Sequence, residues 1–137
     1  MGDREPLEPA IAVEQVSTRQ AGAGAWHIEW NITNLGASPL TILAARFPHG
    51  QFRSPERPFA DPYRLAPGQS ALLEAEITCP ELPGTIVENA FLILSVVWSD
   101  RPWRIFARLR VTIESGGAPR AATELITAQP SGFAEKL

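Results

Sequence analysis

Cysteine is nearly absent from this chain of 137 residues: Cys79 is its only thiol, so an internal disulfide is excluded. Cys79 stands between Thr78 and Pro80, where a lone thiol acts as a small hydrophobe at a strand end, and no base beside it in the sequence makes it a nucleophile. Histidine is almost as scarce. His27 and His49 lie in different segments, too few and too far apart for a site that needs several converging ligands, so no metal and no cofactor are expected. No Ser-His-Asp or Cys-His grouping appears. Ala21-Gly22-Ala23-Gly24 lacks the Lys, the Ser/Thr and the following helix of a phosphate loop. These absences lead to the expectation of a protein that is not an enzyme.

Other shortages narrow its surroundings. No apolar run approaches the ~20 residues of a membrane span. The opening Met1-Gly2-Asp3-Arg4-Glu5-Pro6 lacks the basic then apolar layout of a signal peptide, so with Met1 as the native start a cytoplasmic location is expected. Lysine occurs once, at Lys136, so arginine carries nearly all the positive charge, and the net charge of -3 argues against a general nucleic-acid binder.

What is present is alternation. Trp26, Ile28, Trp30 and Ile32 interleave with His27, Glu29, Asn31 and Thr33, the period-two signature of a half-buried strand. Ala71, Leu73, Ala75 and Ile77 alternate in the same way with Leu72, Glu74, Glu76 and Thr78. Leu40 to Phe47 is apolar on both faces, so both are expected to be at least partly covered. Ile11 to Val16 makes a first short strand. Ala66-Pro67-Gly68-Gln69 fits a type II turn, with glycine where φ must be positive. Pro48 to Pro67 reads as a long connection holding one short strand at most. Residues 1–9 are expected to be a flexible leader, residues 10–114 one β domain, and residues 115–137 a flexible or docking tail in which Ala121 to Ala128 forms a helical turn or two.

The most legible segment is a hairpin. With Ser99-Asp100-Arg101-Pro102 as its loop, Trp98 lies opposite Trp103, Val96 opposite Ile105, Leu94 opposite Ala107, Leu92 opposite Leu109 and Ala90 opposite Val111. That face is wholly apolar and belongs to a core. The other face carries Phe91, Ile93 and Val97 with Arg104, Phe106, Arg108 and Arg110, neither cleanly polar nor cleanly apolar. Either the arginine stems lie over the apolar groups with their heads in water, or this face is a binding surface, since aromatic and arginine side chains are enriched at protein contacts.

About seven short strands with no long helix point to an all-β, antiparallel Greek-key sandwich. The stretches "WHIEWNITNLGASPLTI" and "LAPGQSALLEAEI", followed by the apolar hairpin, resemble the Ig-like β-sandwich modules common in bacteria, of the cell-adhesion-related type. Asn34, Gly36 and Pro39 sit where that family has its Asn-x-Gly turn, and Pro67-Gly68-Gln69 matches its loop before the fifth strand. The resemblance implies an Ig-like fold over Ile11 to Glu114, no catalytic residues, and a role in binding protein or as a spacer. The expected function is protein interaction, with a partner or a second copy, through the Arg/Phe face. The alternatives are a module for anionic carbohydrate or lipid headgroups, and an accessory domain of an enzyme.

Overall fold

A computed structural model describes residues 7–131; the expected leader falls largely outside them. The described residues form eight strands: β1 (Ile11–Gly22), β2 (Ala25–Asn34), β3 (Leu40–His49), β4 (Phe52–Leu65), β5 (Ser70–Thr78), β6 (Ile86–Trp98), β7 (Arg101–Ile113) and β8 (Pro119–Pro130). All pairings are antiparallel, in one sheet of order β1-β2-β5-β4-β3-β6-β7-β8. The sheet curls until its end strands meet, giving a nearly closed barrel. The link between β4 and β5 thins to a single bridge, Arg53 with Thr78. On either side of it the inner faces of β1-β2-β5 and of β4-β3-β6-β7-β8 press together over one core.

The alternating residues fill that core as their period dictates. Trp30, Ile28 and Ile32 of β2, Leu73 and Ile77 of β5, and Leu92, Leu94 and Ile105 of the hairpin are all buried. Trp30, Phe47 and Phe52 form an aromatic cluster with centroid separations of 5.5, 6.3 and 5.7 Å, so three strands converge on one set of rings. The outer faces of β2 and β5 carry His27, Glu29, Glu74 and Glu76, with His27 Nε2 3.3 Å from Glu74 Oε1.

Two expectations change. The Pro48 to Pro67 connection is mostly strand β4. Its ladder to β3 is broken by register shifts, and Pro55, Pro58 and Pro62 lie in or beside the breaks, where no regular bond is lost. Residues 119–130 are strand β8 rather than helix. Thr123, Ile126 and Thr127 are β-branched, and pairing with β7 along Pro119–Pro130 supplies the tertiary support that decides between the two conformations.

The hairpin faces stand as expected, but the register moves by two residues. Trp98 pairs with Arg101, Val96 with Trp103, and Leu94 with Ile105. The loop is Ser99-Asp100 alone, with φ of 51° and 61°. Two left-handed residues make the turn whose twist matches the flanking strands, and that preference overrides the longer loop. Because the slip is even, each side chain keeps its face. Trp98 and Trp103 become diagonal neighbours, edge to face at 5.7 Å. The Gly68 turn forms as its sequence requires, with φ of 83° and Gln69 N donating to Ala66 O at 2.9 Å. Gly24 has φ of 68°, and a Cβ there would stand 2.9 Å from Pro80, so only glycine fits.

Among the described residues one polar side chain is buried with the core. Asn34 is 1% exposed. Its Nδ2 donates to Ser38 O at 2.9 Å and Leu65 O at 3.0 Å, and its Oδ1 accepts from Gly36 N at 2.9 Å. It ties the β2–β3 turn to the end of β4, a far larger role than the turn chemistry of Asn-x-Gly implies. Asn34→Ala strands three backbone groups and is expected to cost about 2–4 kcal/mol, read as a lower urea midpoint at unchanged slope.

Candidate functional site

The outer face of β6 and β7 is assembled by cross-strand register. One row across the sheet runs Arg46, Ile93, Phe106, Thr127. The rows on either side run Ala44, Ser95, Arg104, Gln129 and Phe91, Arg108, Leu125. All seven residues expected on this surface lie on it: Phe91, Ile93, Val97, Arg104, Phe106, Arg108 and Arg110. Odd positions before the turn and even positions after it point away from the core.

Burial along the face is graded. Ile93 is 8% exposed, and Arg46 and Phe106 flank it in its row. Phe91, Val97 and Phe106 are half-buried, while Arg104 and Arg110 are exposed. Leu125 of β8, which the sequence had not placed here, is 48% exposed. It adjoins Arg108 in the register. The surface is thus an apolar strip of Phe91, Ile93, Phe106 and Leu125 set among arginines.

The charges on it are partly paired. Arg108 Nε lies 3.6 Å from Glu124 Oε1, and Arg110 Nε lies 3.5 Å from Glu88 Oε2. Both carboxylates come from strand irregularities. Glu124 occupies the register shift in β8, and Glu88 the one in β6 beside Asn89, whose φ is 57°. Both pairs are about half-exposed and contribute little stability. Among the described residues, Arg104 and Arg46 have no carboxylate within 4 Å.

The other chemistry-bearing residues stay apart. Among the described residues, no group of three His, Cys, Asp or Glu converges as a metal site would require. His49 Nδ1 accepts from Gln51 N at 3.0 Å. Cys79 is buried, and its burial pushes the thiol above its ordinary range, which suppresses the reactive thiolate at neutral pH. Trp26 and Trp30 lie in the core, as their alternation implied.

Sequence reasoning missed the seam where the sheet ends meet. There the Gln15 side chain stands in for a strand. Its Nε2 donates to Pro119 O at 3.0 Å and its Oε1 accepts from Ala121 N at 2.5 Å, while Thr123 Oγ1 donates to Val13 O at 2.9 Å. A groove of about 600 Å³ runs along this seam, bordered by Val16, Ser17, Arg110 and Arg120. A second, of about 550 Å³, lies at the thin β4–β5 link beside His27, Arg57 and Glu76. The only early signal for Gln15 was that it interrupts the alternation of β1.

The assignment of faces predicts opposite responses to substitution. Leu92→Ala removes a fully buried side chain and is expected to cost about 2–5 kcal/mol. Phe106→Glu on the outer face is expected to cost about 1 kcal/mol or less. Urea unfolding of the two variants checks the difference.

No protein-family model matches this chain, and no curated protein sequence matches it.

Proposed function

We propose that this protein is a non-enzymatic interaction module of Ig-like, Greek-key type that binds another protein through the Arg/Phe face of β6 and β7. The architectural part of the reading is supported by interlocked pairing: β2 joins β5 and β3 joins β6, each skipping two strands, with β8 added beside β7. The observation that carries the functional part is the apolar strip of Phe91, Ile93, Phe106 and Leu125 on the outside of the sheet, framed by Arg46, Arg104, Arg108 and Arg110. Rings and guanidinium groups together are the composition of protein contact centres. Glu88 and Glu124 share the face and occupy two of its arginines, which favours a protein surface of mixed charge over carbohydrate or lipid anions.

Phe106→Glu and Arg108→Glu test the reading. Proteins retained by the immobilised wild-type chain are expected to lose at least tenfold in affinity for either variant, about 1.4 kcal/mol or more. Equal affinity for wild type and both variants removes the Arg/Phe face from the function.

A further inference from the structure

The edge of β8 offers a second surface, bordering the Arg/Phe face along Leu125, Thr127 and Gln129. Among the described residues β8 is the end strand of the sheet and pairs only with β7. Its first half, Pro119 to Thr123, is closed against β1 by the Gln15 amide and the Thr123 hydroxyl. The register shift at Glu124 then reverses which residues face outward. Ser131 N donates to Pro102 O at 2.9 Å, so by alternation 125, 127 and 129 turn their backbone groups to β7. Ile126 and Ala128 turn theirs away from it.

The protection of this half-edge lies only at its two ends, the bulge at Glu124 and Pro130. Leu125-Ile126-Thr127-Ala128-Gln129 carries no charge, whereas exposed edges are ordinarily blunted by charge, bulge or cover. Its inward side chains, Ile126 and Ala128, pack against the core but are only partly buried. A strand added here completes their cover.

We propose that this edge pairs with the same edge of a second copy, antiparallel, about a two-fold axis at Thr127. Ile126 then lies opposite Ala128 of the second copy, and the two exchange backbone hydrogen bonds. Leu125 meets Gln129 of the second copy, and the two Thr127 side chains face one another. Size complementarity selects this occupant. The chain reversed about Thr127 sets Ala128 against Ile126 and Ile126 against Ala128, so each inward pair joins one large and one small side chain. A threonine pair in the non-hydrogen-bonded position is a favourable cross-strand contact. So short a pairing buries less than the ~1,600 Å² of a standard interface, so the dimer is weak and concentration-dependent. It joins two Arg/Phe faces into one surface, but its existence does not require that face to bind anything.

The register makes the test specific. Thr127 and its counterpart form a non-hydrogen-bonded pair with Cα atoms about 4.5 Å apart, within the ~4.4–6.8 Å span of a disulfide. In a Cys79→Ala background, Thr127→Cys is expected to form a disulfide dimer at least tenfold faster than Gln129→Cys, which has no counterpart of its own number. Sedimentation of the wild-type chain is expected to show a dimer that grows with concentration. Ala128→Pro, which removes an outward N–H and no bond to β7, is expected to abolish it. Equal cross-linking at positions 127 and 129, or a chain monomeric to about millimolar concentration, overturns the proposal. So does a dimer indifferent to Ala128→Pro. If Ala128→Pro does not fold, the cross-linking ratio decides. Arg46→Glu, three strands from this edge, separates the readings, since it leaves this dimer intact while impairing partner binding through the Arg/Phe face.

Discussion

Side chains close this barrel where its backbone ladder runs out. Backbone pairing runs along β1-β2-β5 and along β4-β3-β6-β7-β8, but among the described residues the one strand pairing between the two is Arg53 with Thr78. At that thin link Trp30, Phe47 and Phe52 interlock beneath the strands, and buried aromatic area replaces the missing bonds. At the opposite seam one amide, Gln15, supplies both the donor and the acceptor that a neighbouring strand would otherwise provide. The core therefore does more than fill space. It fixes how far the sheet curls and which edge residues it leaves open.

This dependence explains what was legible beforehand. Faces follow from parity, and parity follows from the identity of single residues, so Leu92, Leu94, Ile105 and Leu109 on one side and Phe91, Phe106 and Arg108 on the other were readable from alternation. The register was not, because a slip of two residues preserves every face, and only the geometry of Ser99-Asp100 separates the two solutions. β8 was hidden because Ala121, Ala122, Glu124 and Leu125 favour helix locally. The partner edge on β7 lies in another segment, and its pull does not show in β8 itself. β4 was obscured by Pro55, Pro58 and Pro62, which ordinarily argue against a strand. The Gln15 contact spans 104 residues to Pro119, a separation at which no local pattern carries information.

The two outer surfaces differ in sign as well as texture. Glu14, Glu29, Glu74 and Glu76 lie outside β1-β2-β5, relieved by Arg19 and His27, with Glu29 directly opposite Glu74. Arg46, Arg104, Arg108 and Arg110 lie outside β3-β6-β7. A net charge of -3 conceals this separation. Such a molecule has a direction in an electric field, and a charged partner approaches it already oriented.

The interlocked pairing also bears on how the chain reaches this state. Trp26 pairs with Ile77 and Leu40 with Trp98, so distant segments must find each other before much apolar area is covered. Closing such loops is the slow part of assembling sheets of this kind, on the order of milliseconds to seconds. The β6–β7 hairpin, with its two-residue turn, needs no such search, and neither do the β1–β2, β3–β4 and β7–β8 hairpins. The β6–β7 pair carries the most buried residues and is the natural seed, with β8 pairing along its β7 edge. Until β8 arrives the free edge of β7 lacks its partner, and that interval is when the nascent sheet is most prone to clump.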